Sequence, residues 1–169
     1  MGRRFESCRA RFLGPMKPVD YLPYAWTAAQ WLLLLFVFWT GLSLGNPEGP
    51  AWISFVGGVI MTFSLLPAVL GFRDLGVNLS PWPHPHSTNR LVTRGIYRHL
   101  RHPLYLSLII LAFGWSIWSQ SWAGLAASVI LTLVLRGKAA CEERLLAKRH
   151  PDYEAYARNT GAFWPRSRR

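Results

Sequence analysis

Four apolar stretches, at residues 24–44, 51–72, 104–118 and 122–135, set the pattern of this 169-residue chain. The first two reach the roughly 17–25 apolar residues that a membrane-spanning helix needs, and neither contains Lys or Arg. The third and fourth are shorter, so they cross a bilayer only if their helices continue beyond the hydrocarbon edge. The alternative is a short pair of helices that dips into the membrane without crossing it. The pattern predicts an all-α, polytopic membrane protein with four transmembrane helices, the last two forming a tight hairpin.

The positive charges are segregated from these stretches. Of the 19 Lys and Arg residues, five precede the first stretch, five lie between the second and third, and nine follow the fourth. The two short connections, 45–50 and 119–121, carry none. Cytoplasmic segments of membrane proteins are enriched in Lys and Arg, so both termini and the 73–102 loop are predicted to be cytoplasmic. Topology thereby accounts for the net charge of +11, and no nucleic-acid partner is predicted.

These assignments describe one integral membrane domain over residues 1–169. A cytoplasmic N-terminus (1–23) precedes helices 1 and 2 (24–72), the cytoplasmic loop (73–102), the hairpin (103–149) and a cytoplasmic tail (150–169). No turn signal precedes His150-Pro151, so the fourth helix should continue to about Arg149. Gly57-Gly58 predicts a close approach between helices. The aromatic tail is expected to form a helical segment and to fold back over the mouth of the hairpin.

Residues 95–105 form a basic segment directly before the third apolar stretch. Pro103 suits the first turn of a helix, which places His102 at the cap. Helix starts carry unpaired N–H groups and favour anions, and Arg101 would add a two-pronged donor for the same anion. Tyr105, half a turn further on, offers a hydroxyl or a stacking face. The alternative is that the cations only hold lipid headgroups at the interface.

Glu142-Glu143 follows the fourth apolar stretch, and a tight hairpin would return it to the same side as Arg101. Glu142 has Lys138 four residues earlier as a possible partner, whereas Glu143 has no local partner on its helix. An unpaired acid beside a membrane hairpin is a functional candidate, because a charge there is costly unless something compensates it. Simple solvation in the cytoplasm is the alternative.

The order of these motifs resembles the isoprenylcysteine carboxyl methyltransferase and phospholipid methyltransferase superfamily. The resemblance rests on Gly-x-Tyr-(x)3-Arg-His-Pro-x-Tyr at 95–105, the apolar hairpin, Glu142-Glu143 and a Tyr-rich basic end, and it covers about 91–165. It implies an integral membrane methyltransferase that uses S-adenosylmethionine. The implied cofactor-binding residues are Arg101, His102, Pro103, Tyr105, Glu142 and Glu143.

The chain departs from that pattern near its C-terminus. Such proteins often place an Arg three residues after a Tyr, close to the transferred methyl group, but the third residue after Tyr156 is Asn159. Arg158 directly before it is the expected substitute, so Arg158 and Asn159 are the candidate catalytic residues. The predicted acceptor is a lipid or hydrophobic small molecule, methylated at oxygen, nitrogen or sulfur. A non-catalytic lipid-binding or assembly protein is the alternative.

Two further expectations complete the sequence-based picture. The proline- and histidine-rich segment 78–89 is expected to be a stiff linker on the membrane or a wall over a cytoplasmic pocket. No metal site is predicted, since His84 and His86 have no carboxylate or cysteine nearby. The sequence makes no prediction of the oligomeric state.

Overall fold

A computed structural model describes the backbone of residues 18–76 and 91–166, with the side chains from residue 24 onwards in these ranges. The described chain is helical and contains no β-strand. A short 3-10 helix, Gly95–Arg98, precedes the third of its five α-helices. In chain order these are α1 (Pro18–Ser43), α2 (Ala51–Leu75), α3 (Pro103–Trp118), α4 (Trp122–Arg149) and α5 (Tyr153–Asn159). The predictions for residues 1–17 and for the 78–89 segment concern residues outside the described ranges.

The helix bounds follow the sequence signals closely on the C-terminal side. Pro103 occupies the first turn of α3 with His102 at the N-cap, as predicted. Helix α4 runs unbroken for 28 residues to Arg149, which confirms the predicted extension. Helix α1 already begins at Pro18 rather than at Tyr24, because a proline at the first position costs a helix no hydrogen bond.

Helices α1, α2 and α4 are long and apolar enough to cross a membrane. Helix α3 has 16 residues, which gives it a length of about 24 Å, less than the roughly 30 Å of a hydrocarbon core. Large apolar side chains are exposed along the outside of α1 and α2, among them Leu32 and Phe55 at 67% and 73%. Exposed apolar area on this scale is typical of a lipid-facing surface. The chain is therefore an integral membrane protein.

The helices pack in neighbouring pairs, α2 against α3 and α1 against α4, while α3 and α4 also contact each other. Three residues separate α3 from α4. Gly57 of α2 is buried, and backbone atoms of Trp118 and Gly114 occupy the place where its Cβ would stand. A Cβ at Gly58 would make only an ordinary contact, 3.9 Å from Cδ1 of Trp118. The predicted close approach thus belongs to Gly57.

The buried core is small and lies between α1, α3 and α4. Its members are apolar residues that are almost fully shielded, namely Val37, Ala112, Ala127, Leu131 and Leu135. A group of buried hydroxyls extends it towards the α3–α4 connection. There the Ser116 and Ser128 hydroxyls lie 3.1 Å apart, and Ser121 donates to the carbonyl of Thr40. Hydroxyls in such a place need partners, and these residues supply them to one another.

The C-terminal segment returns to the start of α3, as the sequence predicted for the tail. The amides of Arg101 and His102 donate to the carbonyls of Gly161 and Ala162 at 2.8 and 3.0 Å. In the other direction, the amide of Gly161 donates to the carbonyl of His99 at 3.3 Å. These bonds hold α5 and the residues after it against the residues that lead into α3.

Candidate active site

The two predicted clusters meet across α3 and α4. Arg101 and Glu143 form a two-pronged ion pair, with Nε 2.8 Å from Oε1 and Nη2 3.3 Å from Oε2. The Nε2 atom of His102 lies 3.0 Å from the same Oε1. Glu143 lacks a local partner on its own helix, and the fold provides two from a point more than 40 residues earlier in the chain. The polar residues therefore form one connected cluster at the end of the apolar core.

The guanidinium of Arg101 makes four hydrogen bonds within the protein. Besides Glu143, its Nη1 donates to the carbonyls of Ala157, at 2.8 Å, and Thr160. The anion that the sequence placed against Arg101 is thus the carboxylate of Glu143. Arg101 joins α3, α4 and the C-terminal segment, and its side chain is only 13% exposed. In this geometry it holds the site together.

Glu142 is the more open of the two acids. One of its oxygens accepts a 2.5 Å hydrogen bond from the hydroxyl of Tyr105. The other lies 4.0 Å from Nδ1 of His102, and the Glu142 side chain is 41% exposed against 24% for Glu143. Glu142 therefore keeps acceptor capacity for a ligand, whereas Arg101 and His102 occupy Glu143.

The ring of His102 is stacked between two aromatic rings. It is parallel to the ring of Tyr105, with centroids 5.3 Å apart and an angle of 1°. On Phe163 it stacks at 5.7 Å and 27°. The His102 side chain makes no capping hydrogen bond to α3. Stacking and the bond to Glu143 fix the imidazole, which is buried.

Lys138 approaches the same cluster from the apolar side. Its ammonium donates to Oε1 of Gln30 at 2.9 Å and lies 5.2 Å from the centroid of the Tyr105 ring. The local ion pair considered for Lys138 and Glu142 is not formed, since no salt bridge joins them. Gln30 was not singled out from the sequence. A single amide in an otherwise apolar stretch was the available signal.

Three tyrosines pack behind the cluster. Burial raises the pKa of Tyr97 and of Tyr156 to about 12, so both hydroxyls stay protonated, and that of Tyr156 donates to the Tyr97 carbonyl at 2.7 Å. Burial also raises the pKa of Tyr153, and the charge of Glu143 acts in the same direction. The buried Tyr153 hydroxyl has no hydrogen-bond partner in the described part of the chain. The sequence placed Tyr97 in the motif at 95–105 and Tyr153 and Tyr156 in the aromatic tail.

Neither Arg158 nor Asn159 makes a side-chain hydrogen bond or salt bridge with this cluster in the described part of the chain. Both are exposed on α5, and the Asn159 amide donates to the Ala155 carbonyl of its own helix at 3.0 Å. Of the predicted site residues, Arg101, His102, Tyr105, Glu142 and Glu143 come together, and Pro103 positions them by starting α3. The role of Arg158 and Asn159 stays a prediction.

The polar groups of the cluster suit the polar end of S-adenosylmethionine. That cofactor presents an ammonium and two ribose hydroxyls, and an exposed carboxylate such as Glu142 can accept from either. The buried Tyr153 hydroxyl is a further polar atom without a partner. By contrast, Arg101 is committed to Glu143 and to two carbonyls, so the carboxylate of the cofactor needs another donor.

The fold and the cluster define a class of protein. It is an all-helical membrane protein in which an Arg-His-Tyr cluster faces two adjacent glutamates. A family model described as phospholipid methyltransferase matches residues 52–152. The chain belongs to this family. The match includes α2, α3 and α4, and thus every residue of the cluster that the sequence predicted.

Two curated relatives share 37% identity with the chain. One is the cobalt-zinc-cadmium resistance protein CzcN of Cupriavidus metallidurans, over 113 residues that make up 59% of this chain and 50% of the relative. The other is the nickel-cobalt-cadmium resistance protein NccN of Alcaligenes xylosoxydans xylosoxydans, over 81 residues, 47% of this chain and 38% of the relative. The chain thus spans about half, or less, of the length of these relatives.

Proposed function

We propose that the protein is an S-adenosylmethionine-dependent methyltransferase that acts on a lipid or hydrophobic small molecule at the cytoplasmic face of a membrane. One observation carries this proposal. The half-exposed carboxylate of Glu142 lies at the end of the apolar helices, beside Arg101, His102 and Glu143, which are hydrogen-bonded to one another. Membership of the phospholipid methyltransferase family supports the reaction class.

The cofactor would supply a methyl group bound to a positively charged sulfur, and the protein's residues would orient it. Glu142 would accept hydrogen bonds from its ammonium or ribose, while Tyr105 fixes the Glu142 carboxylate. Arg101, Glu143 and His102 would hold the walls of the site. Methyl transfer is an in-line displacement that depends mainly on positioning, so the site needs no nucleophilic side chain of its own.

The proposed topology has four crossings, with both termini and the active site on the cytoplasmic side. The absence of Lys and Arg from the 45–50 and 119–121 connections supports it. The short α3 would cross together with α4 as a hairpin, with Pro103 near the membrane surface. Cysteine-accessibility labelling at Glu48 and at Arg158 in sealed vesicles should report opposite sides. Labelling from one side at both positions contradicts this topology.

Binding of S-adenosylhomocysteine tests the proposal without knowledge of the acceptor. Calorimetry on the purified protein in detergent should detect binding. The change Glu142→Gln should weaken it by about tenfold or more, since a hydrogen bond to a charged group is lost. Glu154→Gln is the matched control, because Glu154 is an exposed acid on α5. A wild-type protein that does not bind S-adenosylhomocysteine rules out the enzyme.

The acceptor atom, whether oxygen, nitrogen or sulfur, can be read from labelling. Membranes that contain the protein are incubated with methyl-labelled cofactor, and label is sought in lipid, protein and volatile products.

By the family resemblance, Arg158 and Asn159 are proposed to lie near the transferred methyl group. Arg158→Ala should then lower kcat and leave S-adenosylhomocysteine binding unchanged. An unaltered kcat removes Arg158 from the site.

A non-catalytic membrane protein that binds lipid or assists assembly is the alternative function. The names of both curated relatives refer to metal resistance rather than to methylation. A shared physiological role predicts that expression of this chain raises the cadmium tolerance of a sensitive host. Loss of that effect in Glu142→Gln would link tolerance to the proposed reaction, whereas its retention would favour the non-catalytic role.

A further inference from the structure

A polar pair lies on the apolar side of the cluster, where an amphiphilic molecule would arrive from the membrane. Lys138 precedes Glu142 by four residues on α4, so it lies one helical turn, about 6 Å, closer to the apolar stretch 122–135. Its ammonium donates to Gln30 of α1, a residue that is only 6% exposed. This pair links α1 and α4 at the end opposite to the Ser121–Thr40 hydrogen bond.

Lys138 has no salt-bridge partner in the described part of the chain, and the charge of Glu142 acts on it only from a longer distance. The Glu142 carboxylate, one turn away, is bonded to Tyr105 instead. Its recorded partners are one amide oxygen and the face of an aromatic ring. A lysine ammonium has three N–H donors. One binds Gln30 and one can face the Tyr105 ring, so at least one remains for a ligand.

A half-buried cation without a counter-ion is costly beside a membrane, so such residues usually mark a functional site. Arg136, two residues earlier, shows the contrast, because its side chain is exposed on the outside of α4. Lys138 instead turns inward to Gln30 and Tyr105. An ammonium beside an amide attracts an oxyanion and repels an alkylammonium group.

We infer that Lys138 and Gln30 form a subsite for the oxyanion, carboxylate or phosphate, of an amphiphilic ligand whose hydrocarbon chain lies among the membrane helices. Tyr105 adjoins both this subsite and Glu142, because Lys138 lies over the ring face and Glu142 accepts from the hydroxyl. The inference rests on the proposed function only in regarding this ligand as the methyl acceptor. The subsite would select acceptors by the charge of the headgroup.

Binding of simple amphiphiles tests the subsite without cofactor. The protein is placed in phosphatidylcholine nanodiscs and titrated with dodecanoate, dodecyl phosphate or dodecyltrimethylammonium, with empty nanodiscs as background. At least one of the two anions should bind saturably, and the cation should not bind. Binding of dodecanoate alone assigns a carboxylate headgroup, and binding of dodecyl phosphate alone assigns a phosphate. If neither anion binds, or if the cation binds as tightly, the inference is overturned.

Three variants locate the binding. Lys138→Gln removes the cation and should weaken anion binding by about tenfold or more. Gln30→Glu should do the same by supplying Lys138 with a carboxylate partner, and it also serves if Lys138→Gln does not fold. Arg136→Gln removes one positive charge from the same helix and should change the affinity less than about twofold. Wild-type affinity in both site variants, or an equal loss in Arg136→Gln, overturns the inference.

Binding of S-adenosylhomocysteine, measured on the same samples, separates this inference from the proposed function. Lys138→Gln should retain that binding, because Glu142 is held by the Tyr105 hydroxyl and forms no salt bridge with Lys138. A wild-type protein that binds the anion but not S-adenosylhomocysteine would refute the methyltransferase and leave the subsite standing. The reverse result would refute the subsite alone.

Discussion

Arg101 and Glu143 are 42 residues apart in the chain and meet through two hydrogen bonds between guanidinium and carboxylate. The same guanidinium donates to the carbonyls of Ala157 and Thr160. One side chain thus joins α3, α4 and the C-terminal segment. Stability and site geometry depend together on this contact.

Replacement of Arg101 should therefore weaken the attachment of the C-terminal segment to the residues that lead into α3. Arg101→Gln leaves the Glu143 carboxylate half-buried and bonded only to His102, at an expected cost of about 2 kcal/mol. The thermal unfolding midpoint in detergent should fall, and proteolysis between residues 150 and 166 should accelerate. Arg136→Gln, on the exposed face of α4, should change neither quantity. Equal proteolysis of the two variants would contradict the proposed role of Arg101.

Phe163 and Trp164 form a matched pair in the same segment. Phe163 stacks on His102, whereas Trp164 is 81% exposed. Phe163→Ala should weaken S-adenosylhomocysteine binding several-fold, since the His102 ring loses one of its two neighbours. Trp164→Ala should have little effect on that binding. The prediction fails if the two variants bind alike.

Gly57 and Gly58 provide a second matched pair, in the packing of α2 on α3. A methyl group at Gly57 would overlap the backbone of Trp118, whereas at Gly58 the nearest neighbour, Cδ1 of Trp118, would lie 3.9 Å away. Gly57→Ala should destabilise the protein by about 1–3 kcal/mol, the usual range for overpacking, and Gly58→Ala should be neutral. Unfolding in a denaturing detergent compares them. Similar curves for the two variants would show that α2 and α3 do not pack this closely.

Alkaline pH should destabilise the folded protein by deprotonating the tyrosines that pack behind the cluster. The pKa of Tyr156 rises from 10.0 to about 12 on burial, so the folded protein holds that proton more tightly than the unfolded chain does. The resulting stabilisation is complete below about pH 10 and is lost as the pH rises to about 12. The unfolding midpoint should therefore fall over this interval. Tyr156→Phe should show a shallower fall, together with a loss of about 1 kcal/mol at neutral pH from the missing bond to Tyr97. An unchanged slope would count against the buried hydroxyl.

The helices of this protein were predictable from the sequence because their signals are local. Pro103 marks the start of α3, and the absence of a turn signal before His150-Pro151 extends α4. The gathering of Arg101, His102, Tyr105 and the two glutamates followed from helix direction and from the family resemblance.

The choice of partners within the site was not predictable in the same way. Local spacing assigned Lys138 to Glu142 and left Glu143 alone, but helix packing pairs Lys138 with Gln30, 108 residues away, and Glu143 with Arg101. Residues so far apart meet only when several helices are docked. Sequence periodicity carries no information about how the helices dock. Local spacing therefore predicted Glu143, rather than Glu142, as the acid without a partner.

Tyr105 belongs both to the apolar interior and to the polar cluster. Its ring packs against the group that contains Leu131 and Leu135, while its hydroxyl holds the open carboxylate of Glu142. A change of shape in that interior can thus reach Glu142 through one aromatic ring and one hydrogen bond. Bilayer thickness or acyl-chain order, which press on the helices from outside, would tune the affinity of the site as directly as a substitution within it.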